Sequence, residues 1–299
     1  MPQKVIARYD HSEILTYEEI LRIVQAAADI GITKVRLTGG EPLVRRNVCD
    51  LVRQLAHIPQ IKDLAMTTNG VYLNKMAVSL FDAGLKRINI SLDTLNALNF
   101  YRITRHNLFD DVCKGLARAE SVGFSPIKIN VVVIRNVNDK EICSIARMSM
   151  GKPYMIRFIE YMPIGSDSRW RPDRFFPVSE MKRRLETIAP LQPVPRSTLD
   201  GPAERYRFPS AQGEIGFIGA ISKHFCHSCN RLRLTPDGKL RPCLMCDEEI
   251  DIKTPLRDGC SQRDLKALFH EAIALKPQRL SAPLHNGGAD SRTMSRIGG

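Results

Sequence analysis

Apolar positions along the first half of the chain recur at helical spacing, give way to short continuous runs, and then repeat that alternation. Ile20, Ile23, Val24 and Ala27 share one face of a helix that opens at the capping box Thr16-Tyr17-Glu18-Glu19 and stops at Gly31. Val35 to Thr38 follows as a short apolar strand. The order helix, glycine, strand returns in Met76 to Ala83, Gly84 and Arg87 to Ser91, and again in Phe109 to Val122, Gly123 and Ile127 to Val133. Val48, Leu51, Val52 and Leu55 mark a helix that leads to Leu64 to Thr67, and Glu141 to Met148 leads to Met155 to Tyr161. The pattern predicts five strands with their crossover helices.

Apolar strands that alternate with helices imply a parallel sheet covered on both faces, either doubly wound or curled into a barrel. No strand is followed by G-x-G-x-x-G, so a barrel or part of one is favoured, with its chemistry at the carboxyl ends of the strands. Those ends read Thr38-Gly39-Gly40-Glu41-Pro42, Thr67-Thr68-Asn69-Gly70, Ser91-Leu92-Asp93 and Tyr161-Met162-Pro163, polar or glycine-rich where the strands are apolar. They converge on one mouth. Beyond residue 165 Pro172, Pro177, Pro190, Pro193 and Pro195 interrupt any periodicity, and the chain is expected to divide into 1–165 and a second lobe or lid, 166–299.

That second part carries the most specific chemistry. Cys226 and Cys229 precede an alternating strand from Arg231 to Leu234, a turn at Pro236-Asp237-Gly238, and a return through Lys239, Leu240 and Arg241 to Cys243, so the hairpin brings Cys229 and Cys243 together. With Cys246 the bare spacing fits a four-thiolate zinc ribbon as well as an iron–sulfur cluster. Arg231, Arg233 and Arg241 between the thiolates point to an anionic ligand beside the metal.

Composition narrows the ligand. The 299 residues are 43% hydrophobic, enough for a large core, and 44 Lys and Arg against 32 Asp and Glu leave a net charge of +12. The longest basic run is Lys182-Arg183-Arg184, too short for an arm that wraps nucleic acid, and a small phosphorylated ligand in a cleft fits better. Cys49, Cys113 and Cys143 fall on helix-like apolar faces as core residues. No signal peptide opens the chain and no apolar run crosses a bilayer, so a soluble protein of a reducing compartment, the cytoplasm, is expected.

Lys34 to Pro42, Thr67-Thr68-Asn69-Gly70, Asn89 to Asp93, the Cys226 to Cys243 hairpin and the terminal double glycine resemble, as an ordered set over nearly the whole chain, the molybdenum cofactor biosynthesis protein A family of radical S-adenosylmethionine GTP 3′,8-cyclases. The resemblance implies a lyase with a partial parallel (β/α)6 barrel of radical S-adenosylmethionine type and a tendency to form homodimers. In that family a first [4Fe–4S] cluster cleaves S-adenosylmethionine reductively, and the resulting 5′-deoxyadenosyl radical takes hydrogen from C3′ of GTP, whose ribose then closes onto C8 of guanine. Carried over by position, Gly40, Ser91 and Met162 contact S-adenosylmethionine. Arg36, Thr67, Lys128, Arg231, Leu232 and Arg233 hold GTP, and Cys226, Cys229 and Cys243 bind a second cluster whose open iron meets the guanine. Gly298 and Gly299 form a tail that assists catalysis, and Cys246 is expected to stand by.

One departure is at the front. The family's C-x3-C-x2-C loop for the first cluster does not occur, Cys49 being the first cysteine, and Met1-Pro2 resembles the dipeptide just beyond that loop. The expectation is a chain that begins after the third family cysteine, its first barrel strand missing with it, and a native reading frame that extends upstream. The reading of a different class is a zinc-ribbon protein that binds nucleotide or nucleic acid on a barrel-like scaffold.

Overall fold

A computed structural model describes residues 10, 12–164, 170–195, 201–277 and 297. Strand β1 (Lys34–Leu37), β2 (Asp63–Thr68), β3 (Arg87–Ser91), β4 (Ile127–Val133) and β5 (Met155–Glu160) lie side by side in sequence order, all parallel. Between them run α1 (Tyr17–Asp29), α2 (Val48–Ala56), α3 (Leu73–Asp82), α4 (Ala97–Thr104), α5 (Phe109–Val122) and α6 (Ile142–Gly151), with α1 preceding β1. The capping box that opens α1 is formed as the sequence predicts: the Glu19 amide donates to Thr16 Oγ1 at 3.2 Å and the Thr16 amide to Glu19 Oε2 at 2.7 Å.

The sheet does not end near residue 165. After α7 (Val178–Glu186) come β6 (Gln192–Pro193), β7 (Glu204–Arg207) and β8 (Glu214–Ile218), and β8 adds a sixth parallel strand directly to β5. β7 and β6 then extend the sheet antiparallel, so that among the described residues β1 and β6 are its two edges. The second half of the chain is therefore stitched into the first rather than hung from it. β8 escapes the periodic reading because Gly213 and Gly216 break its apolar run. Both glycines have a steric reason: a Cβ on Gly213 would lie 2.2 Å from the Tyr154 carbonyl oxygen, and one on Gly216 would lie 3.1 Å from Cγ of Arg157.

The outward faces of the strands build the main core with the helices. Ile88, Ile90, Ile127, Ile129, Val131, Val133, Ile156 and Phe158 are buried there against α3, α5 and α6 residues such as Leu80, Val112 and Ile145. A second core joins the two ends of the chain. Leu15, Ile23, Ala26 and Ala27, from α1 and the residues before it, pack with Leu265, Phe269 and Ala272 of α9 (Gln262–Ala274). They also meet Ile252 and, from a small antiparallel sheet in which β10 (Lys239–Arg241) pairs with both β9 (Arg233–Leu234) and β11 (Ile250–Asp251), Leu240 and Ile250. Leu256 of the short helix α8 (Lys253–Arg257) joins the same cluster. Leu240 is fully buried there, worth about 1.5–3 kcal/mol, and this contact fixes the cysteine hairpin to α1. No helix among the described residues is long and apolar enough to cross a membrane.

Candidate active site

The inward face of the sheet collects polar side chains in register. Arg36 pairs with Ala65, Thr67 with Asn89, Asn89 with Lys128, and Asn130 with Arg157, so alternation along each strand turns all of them to the same side. β4 shows this most plainly: Ile127, Ile129, Val131 and Val133 are buried outward, and Lys128 and Asn130 occupy the alternate positions.

Arg157 is the deepest of these cations. It is buried, its Nη2 donates to Asn89 Oδ1 at 2.7 Å, and its Nε has no hydrogen-bond partner. Burial first, then the cations Arg36, Arg231 and Arg87, pull its pKa down to about 9. Asn89 is oriented by donating through Nδ2 to the Met66 carbonyl at 3.1 Å and to Thr67 Oγ1 at 3.2 Å, which turns its oxygen toward Arg157. A neutral amide thus holds a buried guanidinium. Arg36 remains accessible to water although protein surrounds it on most sides, and burial followed by Arg231 lowers it to about 10.

Arg231 and Arg233 come from the cysteine hairpin, and Arg231 acts on both Arg36 and Arg157. Burial lowers Arg231 against the pull of Cys229 and Cys243, and its Nη2 is buried without a partner. Burial lowers Arg233 to about 10, with Arg231 and Arg36 adding to the effect and Cys243 and Cys229 opposing it. Arg231 and Arg233 therefore face the strands, whereas Leu232, between them, packs on the opposite side against the second core with Ile23 and Leu265.

The hairpin itself folds as its turn residues dictate. Leu240 pairs with Leu234 and Arg241 with Arg233, and Gly238 takes φ +75 in the turn. Lys276, just past α9, donates to the Arg231 carbonyl at 2.7 Å and the Pro242 carbonyl at 3.0 Å, tying the two strand ends that lead to Cys229 and Cys243. Its Nζ lies 4.0 Å from Cys229 Sγ. Arg241, 1% exposed, donates to the Cys246 carbonyl at 2.5 Å and to Glu249 Oε1 at 3.0 Å, which shapes the turn after Cys243. Burial and the adjacent Cys243 push the Cys246 thiol up to about 12. Among the described residues no three His, Cys, Asp or Glu side chains are gathered tightly enough to enclose a metal ion. The cations beside Cys229 and Cys243 suit an anionic group there.

At the strand ends Gly40 and Ser91 are exposed and Met162 is half-buried. Glu41 braces this rim: its carboxylate accepts from the Leu43 amide at 3.0 Å, Thr68 Oγ1 at 2.7 Å and the Asn69 amide at 2.7 Å, so the loops after β1 and β2 are tied together. Glu160, fully buried at the end of β5, accepts from the amides of Val178 (3.0 Å), Ile221 (2.8 Å) and Ser222 (2.9 Å) and from the Ser222 hydroxyl. It ties α7 and the loop running to Cys226 to the sheet.

Arg36, Thr67, Lys128, Arg231 and Arg233 thus face one interior, with Cys229 and Cys243 beside it, and Leu232 does not join them. Gly298 and Gly299 lie outside the described residues, although Ile297 just before them is fully buried. Arg157 and Asn89 are the residues that sequence reasoning missed. The signal was a lone arginine in the apolar run Met155 to Glu160, in phase with Lys128 of the neighbouring strand.

Comparison with known proteins fits this geometry. The pattern of the Radical SAM superfamily matches residues 2–148 and that of Molybdenum Cofactor Synthesis C matches residues 154–282. Among solved structures, Streptococcus suis SuiB bound to S-adenosylmethionine has the same fold over 89% of this chain and 63% of its own, with a TM-score of 0.56 at 14% identity. Together they define the class, an α/β protein of the Radical SAM superfamily with a molybdenum cofactor synthesis region at its C-terminal side. The GTP 3′,8-cyclase of Moorella thermoacetica is 47% identical over 299 residues, matching 100% of this chain and 92% of that protein. That of Thermodesulfovibrio yellowstonii is 47% identical over 304 residues with the same coverage. The chain belongs to the GTP 3′,8-cyclase family.

Proposed function

We propose that this chain binds GTP with its triphosphate against Arg36, Lys128, Arg157, Arg231 and Arg233, as a GTP 3′,8-cyclase at the first step of molybdenum cofactor formation. One observation carries the reading: guanidinium groups from both halves of the chain meet around buried Arg157, and every charged group acting on it is itself a cation. Nε of Arg157 and Nη2 of Arg231 are buried donors without partners. Such a concentration of like charge is costly unless an anion completes it, and a triphosphate supplies several negative charges in one ligand.

Within that site Arg157 and Arg231 donate to phosphate oxygens and fix where the nucleotide lies, while Asn89 keeps Thr67 and Arg157 at a set separation. Cys226, Cys229 and Cys243 are the ligands assigned to a [4Fe–4S] cluster, with one iron left open toward the base. Gly40, Ser91 and Met162 take S-adenosylmethionine at the mouth, Gly40 because a bare backbone admits close approach. Cluster and S-adenosylmethionine together supply radical chemistry when bound. The part of Gly298 and Gly299 in catalysis rests on the family resemblance. The 299 residues contain no C-x3-C-x2-C, to which the family assigns reductive cleavage, and we take turnover to require that motif and GTP binding not to. All eight cysteines are unpaired, in keeping with a reducing cytoplasm, and the family resemblance supports a homodimer.

Anaerobic purification and iron reconstitution test the reading. The expected protein is brown, holds iron rather than zinc, and binds GTP more tightly than GMP. Colourless protein with stoichiometric zinc and no preference for the triphosphate overturns it.

A further inference from the structure

We propose that Lys276 is a positioning residue for the hairpin cluster: its ammonium fixes the spacing of Cys229 and Cys243 and places a positive charge against the cluster's sulfur ligands. The inference rests on the cluster assignment above. An ammonium has three donors and no acceptor. Two of them are spent on carbonyls from opposite strands of the hairpin, Arg231 at 2.7 Å and Pro242 at 3.0 Å, and each carbonyl lies within two residues of a thiolate ligand, Cys229 or Cys243. The remaining donor direction is toward Cys229 Sγ, 4.0 Å away.

Position and charge are both imposed from outside the hairpin. Lys276 follows the last turn of α9, whose Leu265, Phe269 and Ala272 are buried in the second core with Ile23 and Leu240. The ammonium is thereby delivered to the base of the hairpin by packed helix, not by a freely moving side chain on a loop. A half-buried cation this near a thiolate favours the more negative, reduced form of a cluster bound there and raises its reduction potential. Arg231 and Arg233 face the nucleotide-binding interior, whereas Lys276 ties the outer ends of both strands, so one set of cations serves substrate and the other serves the cluster.

The test is a redox titration, followed by electron paramagnetic resonance, of the anaerobically reconstituted 299-residue chain and its Lys276→Met and Lys276→Arg variants, with iron per chain measured on each. Lys276→Met is expected to titrate at a more negative potential while Lys276→Arg stays near the parent. If Lys276→Met instead loses its iron and Lys276→Arg regains it, the clamp is upheld by a second route. A parent-like potential and iron content in Lys276→Met overturns the proposal. So does loss of iron from both variants while circular dichroism shows both folded, because charge and donors are then not what the site needs. A parent chain that takes up no iron speaks instead against the cluster assignment itself.

Discussion

Arg231 of the cysteine hairpin bears on Arg36 of the first strand, and behind burial it is what holds Arg36 at about 10. The two halves of the chain meet at that pair, and the meeting is repulsive until an anion arrives. Replacing either by Ala removes a charge-assisted hydrogen bond to phosphate, worth about 1.5–3 kcal/mol, so GTP affinity is expected to fall about 10-fold to 100-fold. Isothermal titration of each variant measures it, and affinities equal to the parent's would place the triphosphate elsewhere.

Arg157 separates binding from stability. It is a buried cation among cations, held by a neutral amide, so Arg157→Met is expected to leave the ligand-free protein as stable as the parent or more so. The same variant loses GTP affinity. Thermal unfolding with and without GTP reads both effects, which have opposite signs; a variant less stable without ligand and unimpaired in binding contradicts the assignment.

Asp93 gives a pH dependence. Burial raises its carboxyl to about 6, against the hydrogen bond it accepts from the Val132 amide at 2.8 Å. A folded-state pKa above the unfolded one means the folded protein binds the proton more tightly. Stability from this group therefore grows as pH falls from 7 through 6 toward 4, by up to about 1.4 kcal/mol per pH unit, and is lost as pH rises through 6. Asp93→Asn should flatten that slope and raise the unfolding midpoint at pH 8, which urea denaturation across the range will show.

Glu160 is expected to be the costliest single polar change. Its carboxylate faces four donors in full burial, and Glu160→Gln turns an NH2 toward some of them, a loss of about 3 kcal/mol. Because Ile221 and Ser222 lead directly to Cys226, iron retention is expected to fall with it. Denaturation and iron analysis on the same sample test both halves.

The cysteines sort by iron content. Serine at Cys226, Cys229 or Cys243 should each reduce iron per chain sharply, whereas Cys246→Ser should keep it. Equal loss at all four positions would instead point to a site closed by Cys246.

The first five strands are legible because doubly buried strands leave continuous apolar runs between helices of 3.6 period, and β1 to β5 fall where Val35, Leu64, Arg87, Ile127 and Met155 announce them. α4 leaves no such trace, since Phe100 is its one buried residue. β8 hides behind the glycines that admit Arg157 and the Tyr154 carbonyl. The hairpin is visible in its turn and its alternation, but nothing local says which way it faces: that is set by Leu240 sinking between α1 and α9, contacts made across most of the chain's length. Lys276 is invisible for the same reason, its acceptors lying far back in sequence at Arg231 and Pro242.

The second core has a consequence for how the site is assembled. Because α1 near the start and α9 near the end clasp the hairpin between them, while β8 is laced to β5, neither half can complete its own hydrophobic interior alone. The phosphate-gathering arginines come into contact as a product of global folding, at the same moment as the hydrophobic burial that drives it. Splitting the chain between β5 and β8 should yield two fragments that recover a binding cavity only when refolded together.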